Sequence, residues 1–268
     1  MLSQQDVDEA YAVAMDMCGD CRDYHATRPY FLSSGVRGGP GPDAAVFAPM
    51  IRRNLPPDGR LLIAGAADDG LLRFVHEHAG DLQPQVTVVD LCPTPLELSA
   101  RFGRRHGMPV ETVRADLTDF RSALKFDVVI AHAVFRFLPE GGRVPFLSRM
   151  REILAPQGVI IGAYTVNHAP PSIRMGLTQR VLDGLATRSI NLPVPSEPLL
   201  AMLGRIEQGP SGNVVREVGP TTHGERFLPA GLKIIESVEI LPQPKSASGL
   251  ATMRKAARRY VVAVPADR

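Results

Sequence analysis

The sequence predicts an α/β fold: a doubly wound, seven-stranded sheet of five parallel strands plus an antiparallel terminal pair, behind an N-terminal helical segment. Three observations predict it. Between Arg60 and Val166, short apolar runs recur at regular intervals, and each ends in a small or polar residue, the pattern of buried parallel strands. Amphipathic segments of helix length separate these runs, which a parallel sheet needs for its crossovers. Two later runs, Leu232–Ile240 and Tyr260–Val264, have no crossover helix between them and therefore read as an antiparallel pair at the sheet edge. Ligands of open α/β sheets bind outside the carboxyl ends of the strands, so the series of strand ends points to a nucleotide-type cofactor.

Each element has its own signal. Residues 5–18 place Val7, Ala10, Tyr11, Ala14 and Met15 on one helical face. A Gly/Pro-rich loop runs from Ser33 to Pro42, and Asp43 is positioned to cap a helix reaching about Asn54. Pro56-Pro-Asp-Gly59 is a turn before the first strand. Strands are expected near 60–65, 85–90, 109–113, 126–131 and 158–164, and helices near 69–79, 95–106 and 143–154. Pro156-Gln-Gly158 reads as a stop between the last of these helices and the fifth strand. The rhythm breaks after Val166. His168-Ala-Pro-Pro and Leu192-Pro-Val-Pro-Ser-Glu-Pro bracket a helix at about 172–187, a second covers 197–207, and Gly209-Pro-Ser-Gly212 is a loop. The expected division is residues 1–42 as the N-terminal segment and 43–268 as the main domain, with 167–230 inserted in it where the regular scaffold is interrupted, as the expected substrate-recognition segment.

Composition narrows the function. The 268 residues are 44% hydrophobic, enough for a core that needs neither disulfides nor metal. Thirty basic against 28 acidic residues give a net charge of +2, so no global field favours nucleic acid or an anionic membrane. No apolar run has the length of a membrane span, and Met1-Leu-Ser-Gln-Gln-Asp lacks the basic and apolar regions of a signal peptide. Three cysteines are too few for a disulfide scaffold and suit a reducing cytoplasm.

Four strings carry a family resemblance: Arg60-Leu-Leu-Ile-Ala-Gly65-Ala-Ala-Asp-Asp-Gly70, Val86-Thr-Val-Val-Asp90, Val113-Arg-Ala-Asp116-Leu, and Phe126-Asp-Val-Val-Ile-Ala-His132. Taken in order, they resemble the class I S-adenosylmethionine-dependent methyltransferases over about residues 43–165, and more loosely over the last two strands. The resemblance implies S-adenosyl-L-methionine as cofactor and S-adenosyl-L-homocysteine as product. It implies that the backbone of Gly65, Ala66 and Ala67 approaches the methionine part, that Asp90 accepts from the ribose hydroxyls with Leu91 and Cys92 flanking the adenosine, and that Asp116 and Leu117 hold the adenine. Ala131, at the end of the fourth strand, is placed beside the cofactor by the same likeness. Ile63 stands where the family often has an acid, and Ala67 where it has a second glycine. Asp90 and Asp116 each have a competing role as a cap of the segment that follows.

Methyl transfer from a sulfonium is an in-line displacement, in which the protein mainly aligns and desolvates the nucleophile. His132 is the first candidate for a base or an orienting group, against a purely structural histidine under the sheet. Tyr24, His25, Arg28 and Tyr30 form a second group, with Tyr24 and His25 as further catalytic candidates and Arg28 and Tyr30 as candidates for binding the cofactor. In the family such an N-terminal segment folds over the cofactor as a lid, in which Arg28 pairs with the methionine carboxylate and a tyrosine closes the pocket. Ordinary packing of a helix and its loop competes with that role. Met175, Leu177, Val181, Leu182 and Leu185 form an apolar face in the insertion, expected to meet the core rather than the substrate. Cys18-Gly-Asp-Cys21 has no second CxxC and reads as ordinary reduced cysteines without metal. Arg254-Lys-Ala-Ala-Arg-Arg259 reads as a solvated approach to the last strand.

The expected function is therefore methyl transfer to a small-molecule substrate. Two alternatives remain open: a methyltransferase-like protein that binds the cofactor without catalysis, and a nicotinamide-dependent oxidoreductase, which shares the acid after the second strand but whose G-x-G-x-x-G spacing is missing here. Composition does not choose between a monomer and a homo-oligomer.

Overall fold

The fold is built outward from its first strand. The computed structural model describes residues 2–36, 39–166, 176–208, 227–241 and 257–268. Strands β1 (Arg60–Ala64), β2 (Gln85–Asp90), β3 (Val110–Arg114), β4 (Phe126–His132) and β5 (Leu154–Val166) are followed by β6 (Leu232–Ile240) and β7 (Ala257–Pro265). Their order is β3-β2-β1-β4-β5-β7-β6. The first five pair in parallel, whereas β7 is antiparallel to both β5 and β6. Winding reverses between β1 and β4, and that switch point is where such sheets open a crevice.

Alternation along β1 shows why the strand reads as one apolar run. Leu61 and Ile63 point into one core with Phe47, Val75 and Leu96, while Leu62 and Ala64 point into a second with Phe146, Leu147 and Phe227. Both faces are covered, so neither side needs polar residues. The first core is roofed by α3 (Ala44–Asn54), α4 (Gly70–Ala79) and α5 (Pro93–His106), and the second by α6 (Arg143–Glu152).

A third apolar cluster joins the N-terminal segment to the insertion. Val7 of α1 (Gln4–Met17) and Tyr30 and Phe31 of α2 (Arg22–Ser33) pack on Leu177, Val181 and Leu185 of α7 (Leu177–Thr187) and on Leu199 and Leu203 of α8 (Glu197–Gln208). The apolar face of α7 is therefore used by the protein's own N-terminal helices, as expected of core. Met175, His168-Ala-Pro-Pro, Gly209-Pro-Ser-Gly212 and Arg254-Lys-Ala lie outside the described residues.

Three local expectations need correction. Asp43 precedes α3 but makes no side-chain cap; its carboxylate is drawn instead to β7, where Tyr260 and Arg258 donate to it. Pro156-Gln-Gly158 does not end the preceding element, because β5 already starts at Leu154 and pairing steps from Phe126↔Leu154 to Val128↔Val159. Gly158 fits there because a Cβ would lie 2.5 Å from the Phe126 carbonyl. Arg258 and Arg259 are not solvated links: both lie in β7, one paired with Asp43 and the other with Glu239. Among the described residues, no helix is long and apolar enough to cross a membrane.

Candidate functional site

The carboxyl ends of β1, β2 and β4 and the loop after β3 surround a cavity of about 1360 Å³, which α2 closes from the side. The volume exceeds the usual few hundred to 1,000 Å³ of a small-molecule pocket, so it has room for two ligands side by side.

The turn after β1 sets the floor. Gly65 has φ +82 and donates to the Val89 carbonyl at 2.8 Å, and a Cβ on it would sit 2.8 Å from Val134 Cγ2. Only glycine meets both demands without strain. Ala66 and Ala67 follow on the cavity wall. Asp90 at the end of β2 then ties two loops together: one carboxylate oxygen accepts from the Ala66 amide at 2.9 Å and the other from the Cys92 amide at 2.7 Å. Burial raises the pKa of Asp90, and the two amides only partly offset it. Asp90 does not cap α5, whose N-cap position is Cys92. A carboxylate has about four acceptor positions, so two amide bonds leave capacity for a ligand. Leu91 is exposed at the rim.

Asp116 also lines the cavity, but it accepts from the amide and hydroxyl of Thr118 at 2.8 and 2.7 Å, and these bonds lower its pKa. No helix lies between β3 and β4, so these contacts form a local turn rather than the expected cap of a helix through Phe120. Leu117 packs beneath, within 3.4 Å of the place a Gly65 Cβ would take.

Helix α2 went unrecognised as a helix in the sequence, yet it supplies one wall. His25 Nδ1 lies 2.9 Å from the Ala67 carbonyl, and Arg28 Nε donates to Asp68 at 2.9 Å. Arg73 reinforces the attachment by bridging Asp69 and Asp6 at 2.7 and 2.8 Å. Tyr24 faces the cavity with its ring edge-on to His25 and Phe137, at 5.0 and 5.4 Å. Two predicted contacts fail. Tyr30 is fully buried in the third cluster, 5.8 Å from the Tyr11 ring, because its side of α2 faces α1 and the insertion. Ala131 is buried in the second core and does not line the cavity.

His132 does line it. Its ring lies 5.6 Å from Phe47 and 6.2 Å from Tyr260, and its buried Nε2 has no hydrogen-bond partner among the described residues. Burial, and then the positive charges of Arg258 and Arg28, push its pKa down to about 3. The imidazole is therefore neutral and a poor proton acceptor, suited to orienting a ligand rather than to carrying its proton. Behind it, Tyr260 Oη and Arg258 Nη1 donate to the buried Asp43 at 2.7 and 2.8 Å. Arg258 also reaches the cavity. Sequence reasoning read Asp43 only as a cap and missed this group, in which an acid just before α3 meets a tyrosine and an arginine of β7.

A second cluster was also missed. Cys18 closes α1 and Cys21 opens α2. Folding brings Cys92 and His25 to them, with all four potential ligand atoms within 4.8 Å of one another. Cys92 Sγ is 3.5 Å from Cys18 Sγ and 3.4 Å from Cys21 Sγ, and Cys18 Sγ is 2.9 Å from Thr94 Oγ1. Burial alone would lower the pKa of His25, but the thiols of Cys21 and Cys92 and the Ala67 carbonyl push it up to about 10.

Residues 65–158 match the family described as a methyltransferase domain. The structure resembles the Burkholderia thailandensis 1,6-didemethyltoxoflavin-N1-methyltransferase with bound 1,6-didemethyltoxoflavin and S-adenosylhomocysteine. That likeness has a TM-score of 0.57 at 15% identity and covers 99% of this chain and 91% of the other. The mitomycin 7-O-methyltransferase MmcR follows at 0.54 and 12%, covering 97% of this chain and 68% of that one. PKMT2 from Rickettsia typhi gives 0.51 and 16% over 82% of this chain, which spans 52% of that protein's length. At these identities the likeness is one of fold. No curated protein matches the chain.

Proposed function

We propose that this chain, whose residues 65–158 match a methyltransferase domain, is a class I S-adenosylmethionine-dependent methyltransferase that transfers a methyl group from S-adenosylmethionine to a small-molecule acceptor. The observation that carries the proposal is the cavity at the strand ends, which the Gly65 turn, Asp90 and Asp116 line in the order the family uses. When bound, the cofactor supplies an activated methyl on a sulfonium. The chain's residues do the rest. Gly65 keeps the turn backbone accessible, Asp90 offers its remaining lone pairs to the ribose, and Asp116 with Leu117 receives the adenine. Arg28 spends Nε on Asp68, and its other guanidinium donors serve the methionine carboxylate.

The acceptor side lies at His132, Tyr24 and Arg258. Burial is the main reason His132 is neutral and disfavours any charge there, while the positive charges of Arg258 and Arg28 pull the other way for an acceptor, favouring its deprotonated form beyond what burial alone would allow. His132 orients that acceptor, and Tyr24 with Phe137 supplies an aromatic face. The heteroatom methylations named for the toxoflavin and mitomycin enzymes support this class of acceptor. The insertion, residues 167–230, contributes to acceptor selection, and His25 acts by holding α2 on the turn. The three free cysteines accord with a reducing cytoplasm, and no nucleic acid or membrane is required.

Calorimetric titration with S-adenosylmethionine, S-adenosylhomocysteine and NAD(H) tests the proposal. Saturable binding of the adenosyl ligands alone is the expected result, with a stabilisation of about 2.7 kcal/mol at one hundred times the dissociation constant. Binding of NAD(H) alone, or of nothing, overturns it. Binding without turnover of any acceptor in a panel of phenols, enols and heterocyclic N–H compounds favours the non-catalytic alternative.

A further inference from the structure

We propose that Cys18, Cys21, His25 and Cys92 form a zinc-type metal site that fastens the N-terminal helices to the cofactor pocket. The inference rests on the donor set and its geometry, independently of the methyl-transfer proposal. Three thiols and one imidazole are a complete Cys3His set, and their placement is tetrahedral in scale. Zn–S bonds of about 2.3 Å imply sulfur–sulfur distances of about 3.8 Å, and the observed 3.5 and 3.4 Å come within a few tenths of that. The spacing Cys18-x2-Cys21 is a common ligand pair, and a helix elbow presents it here, between the C-cap of α1 and the N-cap of α2.

The outer contacts also suit a metal. His25 Nδ1–H donates to the Ala67 carbonyl, which fixes the tautomer and leaves Nε2 as the ligand, the usual arrangement of a metal-bound histidine. The Thr94 hydroxyl beside Cys18 Sγ can donate to a thiolate. Cys18 and Cys92 are buried and Cys21 half-buried, so three thiols crowd together with little water. Binding a divalent cation displaces the three thiol protons and leaves a site of net charge −1. Four protein ligands fill the tetrahedron, so no position is open for water or substrate and the role is structural.

The location gives that role a consequence. Cys92 is two residues beyond Asp90, which accepts its amide, and His25 is bonded to the glycine turn. Metal occupancy therefore fixes the Asp90 loop, the Ala67 turn and α2 with one centre.

The test begins with metal content by mass spectrometry of full-length protein purified without chelator. About one zinc per chain is expected. Reconstitution with Co2+ after chelation should give the intense visible bands of tetrahedral cobalt and a sulfur-to-metal charge-transfer band scaled to three thiolates. Cys92→Ser should reduce zinc from stoichiometric to trace, while His25→Cys should retain it. If Cys92→Ser does not fold, the Co2+ spectrum of the unaltered chain decides. Folded protein with trace metal and three titratable thiols, a disulfide by mass, or a Co2+ spectrum without thiolate bands overturns the proposal. So does zinc that persists in folded Cys92→Ser protein. Because no cofactor is added, failure here leaves the methyl-transfer proposal untouched.

Discussion

His25 and His132 face one cavity from two walls, and their surroundings could hardly differ more. His25 sits among three thiols and a carbonyl, which favour its charged form or a cation beside it. His132 sits against Phe47 and Tyr260 with Arg258 and Arg28 in range, which disfavour its charged form. Residue type alone therefore assigns neither role. One wall favours positive charge through its sulfur and carbonyl groups, while the other disfavours it, chiefly by burial and then through two arginines.

That contrast can be broken at its supports, the largest effect coming first. Asp43→Ala removes the buried partner of Arg258 and Tyr260, and losing one partner of a buried ion pair costs about 3–5 kcal/mol. Urea denaturation should show that loss, with Asp43→Asn intermediate; a loss below about 1 kcal/mol would mean that the group is not holding β7 to α3. Asp90→Ala leaves the Ala66 and Cys92 amides without their acceptor. S-adenosylhomocysteine should then bind some ten- to a hundredfold more weakly by calorimetry, the equivalent of about 1–3 kcal/mol, and unchanged affinity would remove Asp90 from the cofactor site.

The third prediction concerns pH. The folded pKa of His132 lies near 3, below the ordinary 6.5, so between those values the unfolded chain binds the extra proton. Stability should fall as pH drops through that window, by at most about 1.4 kcal/mol per pH unit. His132→Gln should flatten that part of the stability–pH curve, and an identical slope in both proteins would assign the acid sensitivity elsewhere. The smallest effect is a baseline. On the exposed surface Arg52 makes a bidentate pair with Asp81 and donates to the His78 carbonyl, and exposed pairs contribute little. Arg52→Ala should therefore lower the melting temperature by no more than about 2–4 °C; a larger drop would show that this surface contact rivals the buried groups.

The central sheet was legible because its signal is local. β1, β2 and β4 are short apolar runs covered on both faces, and each was placed to within a residue. Helix α2 was not, because His25, Ala26, Thr27, Pro29, Tyr30, Phe31 and Ser33 are all buried, which erases the period of a one-sided helix. The same helix shows why Tyr30 was misplaced: it lies one turn or so beyond Tyr24 and His25 but faces the α7–α8 layer. Gly65, Asp90 and Asp116 could be placed on the cavity wall from sequence because they sit at or just beyond the ends of β1, β2 and β3. The two polar clusters were not. Cys92 is 71 positions from Cys21, and Tyr260 is 217 from Asp43. Nothing in a local window joins residues that only sheet order and the α1–α2 elbow bring together.

The place of β7 in the sheet also bears on how the chain reaches its fold during synthesis. β7 is last in sequence yet lies between β5 and β6, so β6 has no neighbour until Ala257–Pro265 has been made. The parallel half can assemble as the ribosome delivers it, but β5 must wait with a row of unpaired amides and carbonyls along one edge. Such an edge is a template for pairing with other chains. The nascent protein is thus most vulnerable to aggregation in the interval between synthesis of β5 and synthesis of β7.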